Sequence, residues 1–330
     1  MQPLSYARVN DVESAIALVA GDPSSSFLAG GTTKVDLLRL AVEQNDRLVD
    51  INNLPLTAVE ELPGGTVRIG ALARMSDVAR TPIVRERFPG VSEALLLGAS
   101  EQLRNMASTG GNLCQRVRCT YFRDGVSPCN KREPGSGCSA LEGLNRGHAI
   151  LGVSESCIAT HPSDVAVALV AFDAVVHTVG VDGSRTIGID DFYLLPGETP
   201  QLEHPLAHGE LITAIDLPPS PLAAGSLYLK FRDRRSYEFA LVSICAAVEI
   251  EDEVVADVRL ALGGVATKPW RARVAEEELR GGPASAESFA RAAAAELAAA
   301  APRPGNAFKV ALAERTIVRG LNHAMKGRAA

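Results

Sequence analysis

The sequence predicts an α+β fold in two parts, and three observations carry the prediction. Residues 1–60 alternate short strand-like and helix-like runs, which argues for layered helices and strands. Three strand-like runs at 226–232, 240–250 and 254–262 follow one another with a turn at Glu251-Asp252, the pattern of an antiparallel sheet. Everything after residue 270 reads as helix. Between the two regions lies Pro218-Pro219-Ser220-Pro221, the clearest break in the chain. At about 150 residues per domain, 330 residues fit two units. The boundary is expected at 221/222, giving domains 1–221 and 222–330, the first divided near residue 60.

Each element has a local reason. Asp11 precedes the apolar-periodic run 12–19 and suits a helix N-cap. Ser26-Phe27-Leu28-Ala29 reads as a strand entering Gly30-Gly31-Thr32-Thr33, after which 34–40 begins a helix. Strands are expected at 47–51 and 66–69, and helices at 74–79, 91–97 and 100–105. The run 162–172 reads as a helix with Ser163 or Asp164 near its start. A hairpin is expected from 174–181 and 185–189 around Asp182-Gly183, followed by a strand at 211–217. The Ala-rich run 284–300 is helical on propensity alone, and helices are expected at 271–279 and 306–325.

Composition excludes several classes. Hydrophobic content of 46% and charged content of 22% are those of a globular protein. Net charge is −6 with no basic patch, so nucleic acid is not an expected partner. The longest apolar run, 165–176, is too short to span a bilayer and contains Asp173. The start, MQPLSYARVN, lacks the basic-then-apolar pattern of a cleavable export signal.

The cysteines are the strongest chemical signal. Five of six, Cys114, Cys119, Cys129, Cys138 and Cys157, fall in one Arg-, Gly- and Pro-rich stretch; Cys245 stands apart in a strand-like run as a small buried hydrophobe. A chain this long has no need of disulfide staples, so clustered thiols point to a metal or an iron–sulfur cluster. Structural zinc favours close pairs. The gaps here are 4, 9, 8 and 18 residues and no CxxC occurs, which suits a cluster wrapped by a long loop better. His148 and His161 flank Cys157, yet four thiolates are available without them. Arg116, Arg118, Arg123, Lys131 and Arg132 crowd the loop, either offsetting a cluster's negative charge or as ordinary solvated charge.

Three further motifs suit a phosphate-bearing cofactor. In Leu28-Ala29-Gly30-Gly31-Thr32-Thr33, two glycines between a strand and a helix let backbone N–H groups approach a phosphate. Ser108-Thr109-Gly110-Gly111-Asn112 repeats the theme as a second loop. Asp164, in Thr160-His161-Pro162-Ser163-Asp164, is either a helix cap or an acceptor for a ribose or ribityl hydroxyl. Neither loop is GxGxxG or a Walker loop, and no nucleophile–base pairing declares itself. The chemistry is therefore expected in a cofactor.

AGGTT at 29–33, STGGNL at 108–113, HPSD at 161–164 and the strand containing Lys230 together resemble the FAD-binding subunit of the molybdenum hydroxylases, the family of xanthine dehydrogenase, carbon monoxide dehydrogenase and aldehyde oxidoreductase. The segment from Cys119 to Asp164 is similar to the FAD subunit of the periplasmic aldehyde oxidoreductases, which carries an extra [4Fe–4S] cluster in an inserted loop. 4-Hydroxybenzoyl-CoA reductase has a comparable insertion. The resemblance implies a two-subdomain FAD-binding domain of the PCMH/VAO type, with an iron–sulfur loop at 114–157, then a small C-terminal domain of a three-stranded antiparallel sheet with helices. It implies cluster ligands Cys119, Cys129, Cys138 and Cys157, with Cys114 surplus; the residues alone leave open an exchange of Cys114 for Cys119. For FAD it implies that Phe27, Leu28, Ala29, Gly30, Gly31, Thr32, Thr33 and Lys34, with Ser108, Thr109, Gly110, Gly111 and Asn112, wrap the pyrophosphate. Asp164 would bond a cofactor hydroxyl, and Ile212 and Lys230 would line the flavin region.

The implied function is electron transfer. A molybdenum-cofactor subunit would oxidise an aldehyde or related substrate, a [2Fe–2S] subunit would relay the electrons, and FAD on this chain would pass them to an external acceptor. The [4Fe–4S] cluster would be structural. The chain would lie in the periplasm by co-export with a signal-bearing partner, or in the cytoplasm. The rival readings are a stand-alone FAD oxidoreductase of the vanillyl-alcohol-oxidase type and a non-enzymatic iron–sulfur sensor or scaffold.

Overall fold

The computed structural model describes residues 3–327. A three-stranded parallel sheet comes first, in the order β1-β3-β2: β1 (Ser5–Arg8), β2 (Ser25–Leu28) and β3 (Arg47–Asp50). Parallel neighbours need crossovers, and helices α1 (Val12–Ala20) and α2 (Lys34–Arg39) supply them. Asp11 caps α1, its Oδ1 accepting from the Ser14 amide at 2.7 Å.

The second sheet has five strands, β4-β5-β8-β6-β7, all antiparallel. They are β4 (Val59–Glu61), β5 (Val67–Gly70), β6 (Val175–Gly180), β7 (Gly183–Gly188) and β8 (Leu211–Leu217). Between β5 and β6 run α3 (Met75–Arg80), α4 (Pro82–Arg87), α5 (Pro89–Leu97), α6 (Glu101–Met106), α7 (Thr109–Leu113), α8 (Thr120–Arg123) and α9 (Asp164–Ala171); α10 (Ile189–Phe192) follows β7. All eight residues of α9 are buried, which explains the apolar run there: a helix apolar on every side belongs inside a core. Ser163, not Asp164, is its N-cap, accepting from the Ala166 amide at 3.1 Å.

After a 3-10 turn at Ala223–Gly225 comes a four-stranded antiparallel sheet, β12-β11-β10-β9: β9 (Leu227–Phe231), β10 (Val242–Glu251), β11 (Val254–Gly263) and β12 (Trp270–Arg271). Alternation in the sequence predicts three of these strands. The fourth is two residues long, too short to carry an alternation. The turn sits at Asp252 and Glu253, both at positive φ, one residue later than expected. Among the described residues, three helices follow: α11 (Arg273–Leu279), α12 (Ala286–Leu297) and α13 (Phe308–Gly327).

Residues 242–248 of β10 are buried on both faces. Ile244, Ala246 and Val248 pack with α12 and α13, whereas Cys245 and Ala247 pack into the core built around α5 and α9. One strand therefore belongs to two cores and joins the two halves of the protein. Between Cys114 and α9, α8 is the only helix, as the composition of that loop suggests.

Candidate functional site

The first glycine segment is a cradle of backbone amides. Gly31 lies at φ +72°, and a Cβ on Gly30 would stand 1.9 Å from the Met106 carbonyl oxygen. Glycine is required at 30 because the α6–α7 connection crosses directly over it. Among the described residues, the N–H groups of Gly30, Gly31, Thr32 and Thr33 have no acceptor within the chain. A left-handed residue inside such a run aims successive N–H groups into one concavity, a favourable seat for an anion.

The second glycine segment differs from its expectation. Residues 109–113 form α7 rather than an open loop, and its amides are used within the fold: Thr109 donates to Ala73 O at 2.9 Å, Gly110 to Ala71 O at 2.8 Å, Gly111 to Ser108 Oγ at 3.2 Å and Asn112 to Ser108 O at 2.9 Å. A Cβ on Gly110 would stand 2.9 Å from Ala71 Cβ. Gly110 thus serves close packing after β5. The sequence showed two similar Gly-Gly pairs; only the amide accounting tells them apart.

A clamp that sequence reasoning missed fixes the first segment. Asn52 Nδ2 donates to Ala29 O at 2.9 Å and to Asp50 Oδ1 at 2.6 Å, while its Oδ1 accepts from Arg74 at 2.8 Å. Arg74 also donates to Met106 O at 2.5 Å. Burial opposes the charge of Asp50, but hydrogen bonds from Tyr6, Asn52 and Arg8 outweigh it and hold its carboxyl at about 2. These residues come from separate elements and carry no local motif. Phe27 and Leu28 lie in β2, and Lys34, at the start of α2, pairs with Glu43 at 2.5 Å.

Asp164 sits at the seam between the two halves. Its Oδ2 meets Lys230 Nζ at 2.7 Å and its Oδ1 accepts from Tyr228 OH at 2.8 Å. The Lys230 side chain is 1% exposed and also donates to Leu97 O at 3.2 Å. Ile212, in β8, is buried in the core built around α5 and α9.

The cysteines divide cleanly. Cys119, Cys129, Cys138 and Cys157 all line one cavity, with Val117, Phe122, Pro128 and Ala159 among its walls. Cys114 is absent from it and packs instead against the core around α9. Cys129 and Cys138 face each other across an isolated antiparallel bridge. Burial pushes the Cys119 thiol up to about 12; burial raises Cys157 as well, opposed by the nearby Lys131. Among the described residues, no three His, Cys, Asp or Glu side chains converge tightly enough for a single metal ion.

The cationic side chains of this loop are not loose charge. Arg116 pairs with Glu203 at 2.5 Å and Glu43 at 3.3 Å, Lys131 with Glu203 at 3.0 Å, Arg118 and Arg123 with Asp36, and Arg132 with Asp124 at 3.8 Å. His161 is a neighbour of this network, edge-on to Tyr193 with ring centroids 4.5 Å apart, and burial pushes its pKa down to about 4.

Comparison with known proteins places this architecture. Residues 2–220 match the family described as FAD binding domain in molybdopterin dehydrogenase, and residues 227–324 match the CO dehydrogenase flavoprotein C-terminal domain. The chain is 48% identical over 325 residues to the aldehyde oxidoreductase FAD-binding subunit PaoB of Escherichia coli K12, covering 98% of this chain and 99% of that protein. It is 27% identical to the carbon monoxide dehydrogenase medium chain of Hydrogenophaga pseudoflava, covering 97% and 96% of the two. A solved carbon monoxide dehydrogenase from Hydrogenophaga pseudoflava superposes with a TM-score of 0.76 at 25% identity, covering 99% of this chain and 98% of that one. Quinoline 2-oxidoreductase from Pseudomonas putida 86, with a TM-score of 0.77 at 21% identity over 99% and 98% of the chains, shares the fold. The chain belongs to the FAD-binding medium subunits of the molybdenum hydroxylases. It is accordingly an FAD-binding part of an oxidoreductase, which sets aside the sensor and stand-alone readings. Among the described residues, no helix is long and apolar enough to cross a membrane.

Proposed function

We propose that this chain is the FAD- and [4Fe–4S]-bearing electron-transfer subunit of a heterotrimeric aldehyde oxidoreductase, taking electrons from a [2Fe–2S] subunit that serves a molybdenum-cofactor subunit and passing them to an external acceptor. The 48% identity to an aldehyde oxidoreductase subunit supports the substrate class. The observation that carries the cluster is that four of the five clustered cysteines, and not Cys114, line one cavity. A [4Fe–4S] cluster spreads its four thiolates over separate irons, so its ligands surround a space rather than converge on one ion. The buried, raised thiols suit a site that ionises only when it gains positive charge.

Bound FAD supplies the exchange between one-electron delivery and two-electron discharge. The residues of this chain supply its seat. The free amides from Gly30 to Thr33 hold the pyrophosphate, with Phe27, Leu28, Ala29 and Lys34 shaping that segment. Ser108, Thr109, Gly110, Gly111 and Asn112 wall it from the other side through α7. Asp164 keeps lone pairs beyond the two it spends on Lys230 and Tyr228, enough to accept from a cofactor hydroxyl. Ile212 and Lys230 line the flavin region.

The test is an absorption spectrum of the anaerobically purified complex with iron, sulfide and flavin quantified, alongside Cys114→Ser and Cys138→Ser. About four irons beyond those of the [2Fe–2S] subunit, retained in C114S and lost in C138S, are expected. Equal iron in C138S and wild type would overturn the ligand set. We assign the cluster a structural role; unchanged turnover and full flavin in a stable C138S complex would refute it. We further propose that the chain reaches the periplasm folded with a signal-bearing partner; an unchanged distribution after deletion of that signal would place it in the cytoplasm.

A further inference from the structure

His148 stands against the cysteine cavity in a geometry that the flavin chemistry does not use. Its ring is buried, 7% exposed, and Nε2 lies 3.2 Å from Cys119 Sγ. Its other nitrogen, Nδ1, is buried without a hydrogen-bond partner. The ring is held by its backbone. The His148 amide donates to Asn145 O at 2.9 Å, and its carbonyl accepts from Lys309 Nζ at 3.0 Å and Asn306 Nδ2 at 3.3 Å. Lys309 is fully buried and spends its remaining hydrogens on Gly147 O at 3.1 Å and Gly264 O at 2.6 Å. Asn306 reaches Ala149 O at 3.1 Å. An ammonium capped by three carbonyls is an expensive way to place a loop, and the loop it places presents one imidazole to one thiol.

We propose that His148 donates its Nε2–H to the Cys119 thiolate of the bound cluster and thereby sets the cluster's reduction potential, with Asn306 and Lys309 as its positioning residues. This rests on the cluster reading above. A sulfur bound to iron carries no proton, so the 3.2 Å contact is a hydrogen bond only if the ring is the donor. Nδ1, with no partner, then carries the lone pair. Hydrogen bonds to cluster sulfurs stabilise the more negative, reduced state and raise the potential.

The experiment compares the wild-type complex with His148→Phe and His148→Gln. Iron and sulfide are counted first, and the cluster midpoint is then measured by EPR-monitored redox titration. H148F is expected to retain about four irons at this site with a more negative midpoint. H148Q, which keeps an N–H donor, is expected to move back toward wild type. An intact cluster with the wild-type midpoint in H148F overturns the assignment. Should H148F not incorporate iron, the wild-type complex decides. Labelled with 15N-histidine, its reduced cluster is expected to show a 15N coupling in pulsed EPR spectra, and the absence of that coupling overturns the hydrogen bond. Wild-type complex without the additional irons would sink the cluster reading itself and this inference with it.

Discussion

Lys230→Met removes one half of the buried pair that ties α9 to β9. At 2.7 Å, two unit charges attract by about 6 kcal/mol at an effective dielectric of 20. Much of that is offset by the desolvation already incurred. Breaking such a pair from one side costs about 3–5 kcal/mol, because the remaining carboxylate stays buried. Asp164 is 9% exposed and would keep only Tyr228 as a donor. The sole tryptophan, Trp270, lies in β12 and reports the C-terminal half, while far-UV circular dichroism reports the whole chain. With a urea m-value of about 3 kcal/mol/M, K230M should lower the unfolding midpoint by roughly 1 M or more by both probes. The double variant D164N/K230M should lose less than the two single losses combined, by about 1–3 kcal/mol, since the charges are removed together. A K230M midpoint within about 0.3 M of wild type, or strictly additive losses, would refute the reading of this pair as the polar lock of the seam.

Two further perturbations test other parts of the fold. Gly30→Ala puts a methyl 1.9 Å from the Met106 carbonyl and must push the α6–α7 connection off the amide cradle; purified G30A complex should carry less than half the wild-type flavin, and full flavin content would argue against a tight crossing there. Glu210 is held at about 2 by hydrogen bonds from Arg185, which prevail over burial, and from Thr178 and the Ala207 amide. A carboxyl depressed on folding stabilises above its unfolded pKa, near 4.5, and loses that contribution as pH falls toward about 2. The gap in melting temperature between wild type and Glu210→Gln should therefore narrow between about pH 6 and pH 3, and a constant gap would contradict it. Arg185 is about half exposed, so solvent screening keeps the effect modest.

The elements legible in the sequence are those whose signal is local. The strand at Leu211–Leu217, the hairpin at β6–β7, the cap at Asp11 and the Ala-rich α12 each follow from propensity, alternation or a turn residue. The grouping of Cys119, Cys129, Cys138 and Cys157 is implied by a family resemblance and not by their spacing; in the fold the four line one cavity. Residues alone could not separate Cys114 from Cys119, because their difference lies in which core each packs against. Illegible features were those assembled across the chain. Arg74, Asn52 and Met106 meet over Ala29 from three segments, and nothing near any of them announces it. The difference between the two Gly-Gly pairs was hidden for the same reason: Gly110 donates its amide to Ala71 O, a partner that only the folded chain brings within reach.

The cysteine loop is joined to the FAD-binding half by a short covalent path with polar anchors along it. Six residues separate Cys157 in the cavity wall from Asp164 at the seam. A second cavity shares Val117, Lys131, Cys157 and Ala159 with the first and extends to His161, Tyr193 and Glu203. Beyond His161, Ser163 Oγ donates to Asn112 Oδ1 at 2.5 Å, in the helix that packs against the Gly30 segment, and the next residue is Asp164. Ion pairs from Arg116 and Lys131 converge on Glu203 in the wall of that second cavity. A displacement at Cys157 has few soft torsions over which to dissipate before it reaches α7 and α9, because Ile158, Ala159 and Ser163 are buried and Thr160 and His161 are hydrogen-bonded. The loop is thus mechanically part of the flavin-binding half. A change in how its thiols are held should be felt at the residues assigned to the cofactor, even though no side chain of the two sets is shared.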